Sequence, residues 1–287
     1  MPCIRPIFAG VLALAIHLPA AAIGQGGKLL LTGGVGQIEG AAGGGLTPWA
    51  LIGGYGARGQ VGANAHYTRV ELDDYRIDAC GLMLGIDDRF EFSFARQRID
   101  TREVGAMLGL GRGFKFEQDV FGAKLRLVGD AVLEQDSWLP QIALGVQHKR
   151  NHQGDVVHAL GAADASGTDI YLAATKVFLA RSLLLNATLR HTEANQFGLL
   201  GFGGERGSGS LQWEASAAWL PTRKLAIGGE FRSKPDQLAV AREDDGWDVF
   251  VAWAPSRQIS VTLAWVDLGN VVLADQRGAY LSVQLGF

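Results

Sequence analysis

Beyond residue 22 no stretch of this chain approaches eighteen uninterrupted apolar residues, which excludes membrane-spanning helices. Cysteine is nearly missing. Cys3 and Cys80 are the two present, and Cys3 lies in a segment read below as a removable leader, so no intramolecular disulfide is expected. Positive charge in excess is lacking as well: after residue 22 there remain 25 basic against 29 acidic side chains, so a nucleic-acid partner is not expected. Neither G-x-S-x-G nor H-E-x-x-H occurs. His148 and His152 have ligand-like spacing only on a helix, and they fall at a strand end, so no metal, cofactor or catalytic residue is assigned.

Glycine, by contrast, is plentiful. Its 40 copies in 287 residues are about twice the ordinary share of ~7% and disfavour a helical protein. Residues 1–22 carry Arg5, an apolar run from Ile7 to Leu18 and an Ala20-x-Ala22 ending, the layout of a secretory signal. A mature domain over 23–287 follows.

Alternation with period two dominates that domain. Near the end, Ala279, Leu281, Val283, Leu285 and Phe287 fall on one face, with Tyr280, Ser282, Gln284 and Gly286 on the other. Phe90, Phe92 and Phe94 share a face with Glu91 between them, which suits a membrane strand and no helix. The pattern A-W-x-P-[ST]-R occurs at Ala218–Arg223 and again at Ala252–Arg257, 34 residues on. Alternating runs flank both copies, so these are repeated hairpins. The expected fold is an all-β, antiparallel up-and-down transmembrane barrel, because closure satisfies every backbone group in lipid.

Short links are expected near 57–60, 87–89, 180–182, 221–224 and 255–258, with a turn through Asp136. Longer ones are expected near 100–118, 150–167, 194–209, 234–246 and 268–277, with Asp73-Asp74 as a short exception among them. Two Gly-rich candidates, Lys28–Gln37 and Trp49–Gly56, bring the strand count to fourteen; without them it is twelve, and they then tuck into the lumen.

The stretches KLLLTGGVGQIEGAAGGGLTPWALIGGYG, LGLGRGFKFEQDVFG, SLLLNATLR, NQFGLLGFGG, AREDD and VAWAPS resemble an uncharacterised proteobacterial family, domain of unknown function 3034, over nearly the whole mature chain. The resemblance implies an exported outer-membrane barrel and brings no activity or substrate. The terminal strand also looks like the signature that the barrel-assembly machinery reads, with Tyr280, Leu281, Val283, Leu285 and Phe287 as its residues.

If the apolar faces meet lipid, the opposite faces line the lumen. Candidates there are Asn64, His66, Glu91, Lys124, Arg126, Lys149, Arg190, Glu214, Glu230 and Arg232. Mixed charge with small neighbours suits a water-filled passage; the same residues would also form a closed polar core. The expected function is a channel or transport protein for an unidentified small or amphipathic solute. A non-transporting structural or surface-interaction barrel is the alternative, with an embedded lipid hydrolase or a soluble β-sandwich further off. Val104, Met107, Leu108, Leu110, Phe114 and Phe116 make the 101–118 link apolar, either an inward constriction or a lipid-side extension. Arg96 and Arg98 either follow the three Phe outward, where they could pair with lipopolysaccharide phosphates, or are turned inward by a bulge. Arg242–Asp245 reads as a solvated charged loop, with a divalent-cation site as the alternative.

Overall fold

The computed structural model describes residues 28–287; the stretch read as a secretory signal, 1–22, lies outside them. Alternation becomes strands where it was expected. β3 (Val61–Leu72), β4 (Arg76–Ile86), β5 (Phe90–Asp100), β6 (Lys115–Val128), β7 (Gln141–Asn151) and β8 (Ser166–Phe178) form the first half of a barrel. β9 (Leu183–Thr192), β10 (Ser210–Thr222), β11 (Leu225–Arg232), β12 (Gly246–Trp253), β13 (Ile259–Val271) and β14 (Ala274–Gly286) complete it. Each pairs antiparallel with its sequence neighbours, and β14 closes on β3 with Val283 opposite Tyr67.

The barrel wall therefore has twelve strands. The two remaining strands among the described residues, β1 (Val35–Gly36) and β2 (Ala42–Gly43), pair with each other inside the lumen. The Gly-rich stretches 28–37 and 49–56 are not wall strands, and the lumenal alternative is the one found. Their sequence explains why. Gly33, Gly34, Gly36, Gly40, Gly43, Gly44 and Gly45 leave too few side chains to cover a lipid-facing surface, yet they let the chain bend tightly inside.

The outer face is apolar. Leu211, Trp213, Trp219, Val249, Val251, Leu263 and Val283 are all exposed there. Trp219 and Trp253 lie towards the rim where the chain ends, called the near rim here, and Trp213, Trp247 and Trp265 lie towards the far rim. Trp213 stacks on Phe231 at 4.3 Å between centroids. Beyond the apolar band the outward charges form pairs across strands: Arg96 with Asp119, Arg98 with Glu117, and Arg69 with Asp78.

Three links depart from expectation. The 268–277 link shrinks to Val272 and Leu273, because β13 and β14 run on past the apolar band. Residues 129–140, on the near rim, form a long connection that folds against the outer wall. There Lys176 Nζ reaches the carbonyls of Asp130, Glu134 and Leu139, and Trp138 packs on Phe178. The 101–118 stretch is strand from Lys115 onward. Its first part makes a helical turn, Val104–Met107, and folds over the far rim.

Candidate functional site: a filled lumen

Residues 28–56 form a hairpin inserted from the near rim. Both of its legs start there: Lys28 N donates to Tyr55 O at 3.3 Å, and Tyr55 N donates to the carbonyl of Phe287 at 3.2 Å. Its tip lies deep in the barrel, where Ile38 and Leu46 join the apolar cluster of the far end. An irregular backbone inside a barrel needs partners for its amides and carbonyls. The wall side chains supply them.

The pair Glu91–Lys124 clamps both legs. Glu91 accepts from Ala42 N at 3.0 Å and from Gly53 N at 2.7 Å, while Lys124 Nζ donates to Ala42 O at 3.0 Å and Leu51 O at 2.9 Å. The two side chains also pair directly at 3.1 Å. Glu230 seats the bend of the hairpin, accepting from Leu46 N at 2.7 Å and from the hydroxyls of Thr47 and Ser216 at 2.6 and 2.9 Å. A Cβ on Gly44 would sit 1.9 Å from the Glu230 carboxylate, so a side chain there would displace the group that seats the bend. Further wall groups finish the seal: Gln97 Nε2 donates to Ile38 O, Gln141 Nε2 to Ala50 O, and Thr188 Oγ1 to Pro48 O.

Glu39, the one carboxylate of the hairpin, meets a cluster of three wall cations. Lys149 Nζ bonds Oε1, and Arg232 forks onto the group with Nη1–Oε2 at 2.9 Å and Nη2–Oε1 at 3.2 Å. Arg190 Nη2 stands 3.7 Å from Oε2. Two wall carboxylates complete the cluster: Asp169 contacts Lys149 at 2.8 Å and Arg190 at 3.0 Å, and Glu214 contacts Arg190 at 2.6 Å and Arg232 at 3.5 Å. All six groups are buried. Removing one partner from a buried pair of this kind leaves an uncompensated charge and costs about 3–5 kcal/mol.

Of the lumen candidates, Glu91, Lys124, Lys149, Arg190, Glu214, Glu230 and Arg232 thus meet the hairpin or the cluster around its carboxylate. Asn64 and His66 also face inward, and the His66 ring occupies the space where Gly36 and Gly81 have no Cβ. Arg126 sits apart from these, half-buried at the near rim with Asp88 and Asp130. Glu39 and Asp169 were missed as partners. A lone carboxylate in a Gly/Ala-rich run was the available signal for Glu39. In the terminal strand Tyr280 faces the lumen, while Leu281, Val283 and Phe287 are exposed outside.

The far end is closed a second time. Val104, Phe116, Val157, Phe197, Leu199, Leu200 and Leu238, drawn from four far-rim connections and their strand ends, pack with Tyr75 and Val271 into an apolar cap. Glu243 belongs to it. The expected solvated loop therefore has a buried carboxylate, which accepts from Gln196 N at 3.0 Å. Burial raises its pKa to about 7 against the pull of Lys234, and burial lowers Lys234 to about 8. Cavities of about 20 Å³ remain beside Trp49 and Phe250 and under the cap beside Tyr75 and Leu200. Each is room for a single water. Among the described residues no group of three or more His, Cys, Asp or Glu side chains is placed to hold a metal ion.

A closed antiparallel barrel with an apolar outside and a polar inside is the architecture of bacterial outer-membrane porins. A family model described as "Protein of unknown function (DUF3034)" matches residues 32–284, and the chain belongs to that family. No curated protein matches it. Among solved structures it is similar to the KdgM porin, with 11% identity and a TM-score of 0.52, covering 78% of this chain and 99% of that one. The NanC porin gives 7% and 0.50, covering 78% and 98%. A second KdgM structure, in complex with disordered oligogalacturonate, gives 9% and 0.50, covering 78% and 99%. Likeness at this level of identity concerns the fold alone.

Proposed function

We propose that this chain is an exported outer-membrane barrel of the transport type whose passage is shut by its own residues 28–56, and that solutes move only when this hairpin leaves the lumen. The way the plug is held carries the reading: noncovalently, by polar wall groups, with both legs starting at one rim, so it can withdraw without threading the chain through the barrel. The polar wall suits water once the hairpin is gone, because Glu91 and Lys124 remain a pair and the carboxylates Asp169 and Glu214 stay beside the cations of the cluster. In the shut state the barrel conducts nothing.

A permanently closed, non-transporting barrel is the second reading, favoured by the apolar cap over the far rim. An embedded hydrolase has less to stand on. The hydroxyl–imidazole contact Thr168–His148, at 3.0 Å, faces outward, and among the described residues no carboxylate or amide bonds the second ring nitrogen. Purified wild type in planar bilayers should be closed most of the time with rare openings, whereas a variant lacking residues 28–56, and with them Ile38 and Leu46 of the cap, should show steady conductance. A deletion variant that inserts as a folded barrel and stays silent would favour the non-transporting reading.

A further inference from the structure

Glu39 is held as a ligand would be. Both oxygens of its carboxylate accept from the two arms of the Arg232 fork, with Lys149 also on one oxygen and Gln37 Nε2, 3.2 Å away, on the other. A bidentate fork suits the paired oxygens of a carboxylate or of a phosphate. The wall part of the cluster holds three cations, Lys149, Arg190 and Arg232, against two carboxylates, Asp169 and Glu214. Glu39 brings the sum to zero, so a wall without it is one positive charge in excess. Arg190 Nη2, fully buried and aimed at Glu39 Oε2 from 3.7 Å, has no hydrogen-bond partner among the described residues. That leaves a donor to spare for an anion seated slightly deeper. The Phe197 ring covers Arg232 at 4.4 Å and gives the site an apolar roof.

We infer that Lys149, Arg190 and Arg232 form a carboxylate-binding site of the barrel wall, which Glu39 fills as an internal ligand and which takes the carboxylate of a small organic monoanion when the hairpin is out. One negative charge restores neutrality there; a dianion such as phosphate overshoots it. The inference rests on the withdrawal reading for its use in transport, but the site can be tested without any conductance.

The test is chemical rescue of Glu39→Ala, which vacates an acetate-sized space between the cations, with acetate as the probe, read as the thermal unfolding of the purified barrel in detergent. In sodium chloride the variant should unfold at a lower temperature than wild type. Sodium acetate at the same ionic strength should restore most of that loss saturably, as mass action requires of a ligand that binds the folded state. Wild type, with its site filled, should gain nothing, and adding Arg232→Gln to the variant should abolish the rescue. If Glu39→Ala does not fold in chloride, the readout becomes refolding yield: recovery in acetate alone supports the site, and recovery in neither salt overturns it. Equal effects of acetate and chloride, or equal responses of variant and wild type, would also overturn it. Rescue without conductance in the deletion variant would keep the site and remove the transport reading.

Discussion

Glu243 shows what burial does to a single side chain in the cap. Its carboxyl is held near pKa 7, above its usual 4.5, because the packed loops disfavour the charged form. A raised folded-state pKa means that its stabilising contribution is complete below about pH 4.5 and is lost as pH rises through 7. Lys234 has the opposite sense. Its lowered pKa gives a contribution present above pH 10.5 and lost as pH falls through about 8. The cap should therefore be least protected near pH 7–8 and should tighten towards pH 5. Hydrogen-exchange protection factors across 233–245 measure this, and Glu243→Gln should flatten the acid side of the profile. Unchanged protection between pH 5 and 7.5 in wild type would contradict the burial of this carboxyl.

Sequence and structure agree strand by strand wherever alternation is dense. Phe90 to Phe94, Leu183 to Leu189 and the two A-W-x-P-[ST]-R hairpins could be placed from the residues, since a one-residue slip would send charges such as Lys124 into the apolar outside. The N-terminal hairpin was less legible. A Gly-rich stretch has no face, so period two says nothing about whether it stands in the wall or inside. The cap was not legible either, because the apolar residues of four connections are scattered over 101–245 and only the closed barrel brings them together. For the lumen, the charged residues are visible in the sequence but their partners are not: Glu39 lies between the two Gly-rich candidate strands and belongs to neither. At the seam, Phe287 N donates to Ala63 O at 2.8 Å and its carbonyl accepts from Ala63 N and Tyr55 N. The same residue thus ties β14 to β3 and to the plug. Phe287→Asp should reduce the amount of folded barrel in the outer membrane several-fold without lowering export, measured by fractionation and heat-modifiable gel mobility. Wild-type levels would remove Phe287 from the assembly signal.

For the whole molecule, twelve strands enclose more space than their own inward side chains fill, and the hairpin takes up the difference. That division of labour sets this barrel apart from one sealed by wall side chains alone, since the sealing piece is continuous with the chain at the near rim. It also separates two closures, the polar plug and the apolar cap, which respond to different conditions. Charge reversal in the wall should loosen the first, and pH the second. The central claim is that the hairpin gates the lumen, and a reversible lock tests it most directly. Thr47 of the hairpin and Ser216 of the wall have hydroxyls 2.6 Å apart, so Thr47→Cys with Ser216→Cys, in a Cys80→Ala background, places two thiols within bonding reach. In planar bilayers the reduced protein should show openings that vanish on oxidation and return with reductant. Openings that persist unchanged in the fully oxidised protein, or a reduced barrel that never opens, would contradict the account.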